Sequence, residues 1–132
     1  MKKITVKTNK KNELIDITSE IKGIIEELNI QEGICVIFCP HTTASITINE
    51  AFDISVKSDM IFSLSKISPD YREFRHAEGN SDAHVKSSIL GSSVNLIISN
   101  KKIMLGQWQG VYFSEFDGPR TREVWIQTIS SK

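Results

Sequence analysis

The sequence predicts a single domain that mixes strands and helices. Three observations carry this reading. At 132 residues the chain has the length of one domain and enough residues for a substantial core. Lys3–Thr8 and His41–Asn49 alternate apolar and polar residues with the period of two that marks half-buried strands. Ile17, Ile21, Ile24, Ile25 and Leu28 instead recur at helical spacing, with Glu20, Lys22, Glu26 and Glu27 on the opposite side.

In chain order, Lys3–Thr8 presents Ile4 and Val6 to one face, Lys10-Lys11-Asn12 forms a turn, and Glu13–Thr18 returns. That pattern predicts a hairpin. The first helix runs from about Ser19 to Asn29, with Gly23 as its one weak point. Gly33–Phe38 is a nearly continuous apolar run and reads as a strand buried on both faces. Pro40 ends it, because proline has no N–H to give to a ladder. In the next strand His41, Thr43, Ser45, Thr47 and Asn49 share one parity, and Ala44, Ile46 and Ile48 share the other. The polar row either faces solvent or lines a pocket. Asp53 caps a second helix whose stripe is Met60, Ile61, Leu64 and Ile67, and Ser68-Pro69-Asp70 stops it. Tyr71–Arg75 is a charged connector to a third, short helix, in which Val85 and Ile89 stand four apart before a Gly91 stop. Val94–Ser99 is a strand and Asn100-Lys101-Lys102 a turn. Ile103–Phe116 reads as one long strand with Trp108, Tyr112 and Phe116 on one face. Gln107, Gln109, Val111, Phe113 and Glu115 take the other face, so Gln107, Gln109 and Glu115 can share a wet groove. Thr121–Ile129 is the final strand.

Charge and composition exclude several classes. Lysine plus arginine and aspartate plus glutamate each number 16, and no basic run stands out, which argues against nucleic acid as the main partner. No apolar run approaches the ~20 residues that span a bilayer. The start MKKITVKTNKK is positive but lacks the apolar core and cleavage site of a signal peptide, so it reads as a strand of a cytoplasmic protein. On a strand, Cys35 and Cys39 would lie ~13 Å apart, too far for a disulfide. Two buried free thiols are expected, in keeping with a reducing compartment.

The candidate chemistry centres on HAEGNSDAH, His76–His84, which sets two histidines around a Gly79-Asn80 turn. Asn80 or Ser81 would cap the third helix and His84 would stand in its first turn. The unpaired N–H groups of such a helix start suit an anion. The competing reading is a capped surface helix with two incidental histidines. Glu50 ends its strand on the apolar parity, either past the rim of the core or partly buried, and burial would suit it to acid–base work. Asp117-Gly118-Pro119 is a tight turn that would bring Glu115 and Arg120 together. Arg120 and Arg122 share a parity, and arginine's planar fork suits phosphate. The alternative is a hairpin turn with a surface ion pair of little energetic weight.

Three segments carry a family resemblance: CPHTTASITINE (Cys39–Glu50), HAEGNSDAHVKSSILG (His76–Gly91) and LGQWQGVYFSEFDGPRTREVWI (Leu105–Ile126). Together they resemble the signature blocks of the YjbQ-like family, also called the secondary thiamine-phosphate synthase family. One departure is the absence of proline from Val94–Ser99, where the family often has one. The resemblance covers nearly the whole chain and implies a compact α+β domain with antiparallel sheet, assembled as a homotrimer. It places His41, His76 and His84 at the family's motif histidines. Three neutral imidazoles with an open position would make a zinc-type site, more suited to zinc than to magnesium.

The implied activity is thiamine-phosphate synthesis, in which a pyrimidine diphosphate joins a thiazole phosphate and pyrophosphate leaves. Such a step needs charge stabilisation on the leaving group, from Arg120, the helix start at Ser81 and a divalent cation. The expected catalytic set is Glu50, Glu115 and Arg120, and the expected substrate-binding set is Asn80, Ser81, Gln109 and Arg120. Two alternatives stand beside it. One is a metal-dependent hydrolase or lyase of a small phosphorylated metabolite, with Glu50 or Glu115 as base. The other is a non-catalytic trimeric module that binds metal or an anion.

Overall fold

The computed structural model describes residues 1–131. Alternation and helical spacing resolve into eight strands and three helices. These are β1 (Lys2–Lys7), β2 (Glu13–Asp16), α1 (Thr18–Leu28), β3 (Glu32–Phe38), β4 (Ala44–Glu50), α2 (Ser55–Ile67), α3 (Ser81–Leu90), β5 (Ser93–Ser99), β6 (Lys102–Met104), β7 (Gln109–Glu115) and β8 (Thr121–Ser130). A five-stranded sheet runs β1-β8-β3-β5-β6 and a three-stranded sheet runs β2-β7-β4. Every pairing is antiparallel. The α+β class with antiparallel sheet is therefore what the chain adopts.

The period-two residues meet between the sheets. Val6, Cys35, Ile37, Val124 and Ile126 of the large sheet and Ala44, Ile46, Val111 and Phe113 of the small one share one core with Ile21 and Ile25 of α1. Burial of a side chain such as Phe113, wholly inaccessible, contributes about 1.5–3 kcal/mol. The other face of the small sheet is covered by α2 and α3, where Leu64, Ala83 and Phe116 form a second cluster. Asp53, expected to cap α2, lies two residues ahead of it and accepts the Ser55 amide at 2.9 Å, while the N-cap position falls on Ile54, which makes no side-chain capping bond. Among the described residues no helix is long and apolar enough to cross a membrane.

Several expectations are corrected. The first two strands form no hairpin: β1 pairs with β8, and β2 pairs with β7. Two antiparallel ribbons, β1 then β2 and β7 then β8, bend together at a corner and pass from one sheet to the other. At the corner the Thr8 amide donates to the Arg120 carbonyl at 2.9 Å, and the Gly118 amide to the Lys11 carbonyl at 3.1 Å. A Cβ at Gly118 would run into the Lys10 carbonyl and the Thr8 hydroxyl, so only glycine allows the crossing. The Asp117-Gly118-Pro119 turn, with its cis Gly118–Pro119 peptide, is thus a sheet-to-sheet corner rather than a hairpin.

The long strand Ile103–Phe116 is broken into β6 and β7 by a turn that the Gln109 side chain closes on the Gly106 amide at 2.7 Å. Trp108 sits in that turn, half exposed against Phe52, while Tyr112 and Phe116 are buried. No continuous aromatic face is exposed there. The strand expected to start at His41 starts at Ala44, and Ser45 from its polar row is wholly buried in the small sheet. Finally, β3 is buried on one face only: Cys35 and Ile37 point inward, but Ile34 is 52% exposed, beside exposed Ile97 and Ile129 on neighbouring strands. The large sheet has a bare apolar outer face.

Candidate functional site

The corner and the start of α3 converge on one pocket of about 410 Å³. His41 and Thr43 reach it from the β3–β4 connection, His76 and Asn80 from the turn before α3, and Arg120 and Arg122 from the corner and β8. Gly79, at φ 70°, makes the turn that returns His76 to His84, and its amide donates to the His76 carbonyl at 3.0 Å. The His76 and His84 rings stand edge to face with centroids 5.3 Å apart. Two residues eight positions apart thereby become one imidazole pair.

His41 is held differently. Its Nε2 accepts the Glu123 amide at 2.9 Å, which in a neutral ring leaves the proton on Nδ1. Burial, then the nearby Arg122 charge, lowers its pKa below the ordinary histidine value, so the neutral form is favoured. The ring also meets Phe113 edge-on.

Two carboxylates organise the arginines, and they are not paired as the sequence suggests. Glu115 is wholly buried and bonds Arg122, not Arg120. It also accepts the Thr8 hydroxyl at 2.8 Å and the Phe116 and Asp117 amides at 3.0 and 3.1 Å. With five donors around two oxygens it orients neighbours and has no lone pair to spare as a base. Arg122 goes on to donate to Thr43 Oγ1 at 2.9 Å. Arg120 pairs with Asp117 at 2.8 Å, and Asn80 Nδ2 donates to the same carboxylate oxygen at 2.8 Å. Burial alone would raise the Asp117 pKa, but the hydrogen bonds from Asn80 and Arg120 outweigh it and hold the carboxyl below its usual range.

Asn80 stands at the N-cap of α3 yet makes no capping bond, because Asp117 draws its amide nitrogen away. Its Oδ1 is buried and has no partner among the described residues. The helix start is left uncapped, which suits an anion. Ser81 opens the helix but does not line the pocket.

Other expected residues lie elsewhere. Glu50 is at the far end of β4, about 20 Å along the strand from Ala44, and lines a separate depression with Phe52, Asp53, Ile54 and Trp108. Gln109 is paired across from Glu50 and serves the Gly106 turn. Neither joins the histidines. Thr43 bears out a pocket-lining role for part of the polar row, whereas Glu78, Asp117 and Arg122 belong to the pocket or its support with no sequence signal beyond the parity of Arg122 and the turn at Asp117.

All three histidines line the pocket, yet no three His, Cys, Asp or Glu side chains among the described residues group to hold an ion. His41 also commits its Nε2 to Glu123. A site in which all three imidazoles hold one ion with an open position does not fit this arrangement, whereas the His76 and His84 rings stand side by side in the pocket.

An α+β fold of two antiparallel sheets, with a histidine and arginine pocket at the sheet corner, defines the class of protein. The model of the family described as "UPF0047 protein YjbQ-like" matches residues 2–131, and the chain belongs to this family. It is 53% identical over 130 residues to a UPF0047 protein of Methanocaldococcus jannaschii, covering 98% of this chain and 94% of that one. It is 48% identical to the YugU protein of Bacillus subtilis over 98% of both chains. Among solved structures, a YjbQ/UPF0047-family protein of Clostridium acetobutylicum superposes with a TM-score of 0.95 at 46% identity, covering 98% of this chain and all of that one. A YbjQ-like protein of Sulfolobus solfataricus gives 0.94 at 30% identity, covering 98% of this chain and 96% of that one.

Proposed function

We propose that this chain is an enzyme acting on a small phosphorylated metabolite, with the phosphate held by Arg120 in the pocket that it shares with His76 and His84. The observation that carries the reading is the His76–His84 pair, set beside Arg120 in the same pocket. Arg120 uses Nε and Nη2 on Asp117, and its Nη1 makes no hydrogen bond within the described residues. It can therefore meet a phosphate without leaving its carboxylate. The imidazole pair can take up and return a proton, one ring as base and the other as acid. If a zinc-like divalent ion were held at these two imidazoles instead, it would supply Lewis acidity in place of their acid–base role, and His41 would donate Nδ1–H to the ligand.

Hydrolysis or elimination is favoured over the coupling of a pyrimidine diphosphate with a thiazole phosphate. That coupling needs platforms for two heterocycles, and apart from imidazoles no aromatic side chain lines this pocket among the described residues. Cytoplasmic location and a homotrimeric state belong to the same proposal. Support comes from the unpaired Cys35 and Cys39 and from the bare face of the large sheet.

The test is turnover of a phosphate-ester panel, with thiamine-phosphate formation included, by purified protein before and after chelation. His84→Ala should lower turnover by about 10²–10⁴-fold with the fold intact. It should also lose any divalent ion that the wild type and His41→Ala retain. Full activity in His84→Ala would sink the reading.

A further inference from the structure

We propose that the ligand of this pocket is a phosphorylated polyhydroxy compound, a sugar or polyol phosphate, with its hydroxyls laid along α3. The inference rests on the phosphate seat proposed above and names its substrate class. Two features of the site fit hydroxyls and do not fit phosphate. The first is Asn80 Oδ1, a buried acceptor without a partner among the described residues, on a residue that lines the pocket. Asp117 fixes its orientation, since turning the amide over would set Oδ1 against the carboxylate. An acceptor there repels a phosphate oxygen and calls for an O–H donor. Asn80 and Arg120 share one Asp117 oxygen, each at 2.8 Å, so the hydroxyl that Asn80 accepts lies close to the phosphate that Arg120 holds. Glu78, a second acceptor, lines the same pocket.

The second feature is a lobe of about 450 Å³ that shares His41, Thr42 and His84 with the first and adds Ser87, Ser88 and Ser92. Each lobe has the size of a small-molecule site, ~300–1,000 Å³. Asn80, His84, Ser87, Ser88 and Gly91 fall at i, i+4, i+7, i+8 and i+11, so one face of α3 runs through both lobes. The second lobe offers hydroxyls and two imidazoles, and apart from those imidazoles it has no aliphatic or aromatic wall among the described residues. Ser87 donates to the Ala44 carbonyl and keeps its lone pairs for a ligand hydroxyl. A flat ring would gain little in such a lobe, whereas a chain of hydroxyls would find a partner at each step.

Calorimetric titration with inorganic phosphate, phenyl phosphate and ribose 5-phosphate tests this. Ribose 5-phosphate should bind about tenfold or more tightly than either of the others, the worth of one or two ligand hydrogen bonds. Ser88 and Ser92 are solvent-exposed, so Ser88→Ala/Ser92→Ala should fold normally. That variant should lose the advantage of ribose 5-phosphate and bind inorganic phosphate as the wild type does. Phenyl phosphate binding as well as ribose 5-phosphate, or an advantage that survives the double substitution, would overturn the hydroxyl assignment while leaving the phosphate seat standing. No phosphate binding by the wild type, or binding unaffected by Arg120→Ala, would remove the seat itself and this inference with it.

Discussion

His41 shows how one hydrogen bond sets a side chain's chemistry. With Nε2 accepting from Glu123 and Arg122 close by, protonation of the ring is disfavoured in the folded state. Its folded pKa lies below the unfolded value, so the unfolded chain binds more protons in the interval between the two. Stability therefore falls as pH drops from about 6.5 through the lower folded value. Thermal melts from pH 7.5 to 5 should show this loss, and His41→Asn should flatten that part of the profile. An unchanged profile would show that His41 is not the group responsible. The acidic and basic candidates separate at the same scale. Glu50 lines its own depression, so Glu50→Gln should leave turnover within about twofold of wild type, whereas removing a general base would cost 10²-fold or more. Arg120→Lys keeps the charge and loses the planar fork, so it should weaken substrate binding about tenfold with little change in kcat. Steady-state kinetics on the substrate found by the panel decides both.

The corner between β7 and β8 is the element on which the pocket depends. Thr8, Glu115, Arg122 and Thr43 form a buried chain that ties three segments together, and Arg122 is only 5% exposed. Taking away one partner of such a pair strands a charge in the interior and costs about 3–5 kcal/mol. Arg122→Met should therefore lower the midpoint of chemical denaturation strongly. Arg122→Met/Glu115→Leu should recover part of the loss, because neither charge is then left unpaired. A single variant as stable as wild type would mean that water reaches the pair. A second tether holds α3 against the same corner. Asp82 in its first turn meets Lys11 at 3.0 Å and the buried Lys86 at 3.7 Å, and Lys86 also donates to Asn12. The helix carrying His84 is thus fixed to the loop between β1 and β2, which positions the imidazole pair.

At the scale of the whole molecule the outer face of the large sheet stands out. Ile34, Phe38, Ile97 and Ile129 are 37–68% exposed on neighbouring strands, a broader apolar surface than a small monomer usually shows. This face is where association between copies is expected. Light scattering after gel filtration should give three times the 14.9 kDa chain mass, and Ile97→Asp/Ile129→Asp should reduce it to one. A wild-type monomer at micromolar concentration would refute the assembly.

Period-two and period-3.6 patterns reported the elements well, because each local pattern reflects which side of its own backbone is buried. Ile4 and Val6, Ile21 and Ile25, and the Gly91 stop of α3 are all where their spacing put them. Turn chemistry likewise placed Asn80 at a helix start and made HAEGNSDAH a turn between two histidines. Local pattern does not encode which strand pairs with which, since a turn between two strands looks alike whether they form a hairpin or bend into different sheets. That choice was made by long-range packing: β1 with β8, β2 with β7, and the crossing at Gly118. The same packing decided the site. It exchanged the expected Glu115–Arg120 pair for Glu115–Arg122 and Asp117–Arg120 and carried Glu50 and Gln109 to the far end of β4. It also buried Tyr112 and Phe116, whose sequence pattern is the same for an inner face and an outer one.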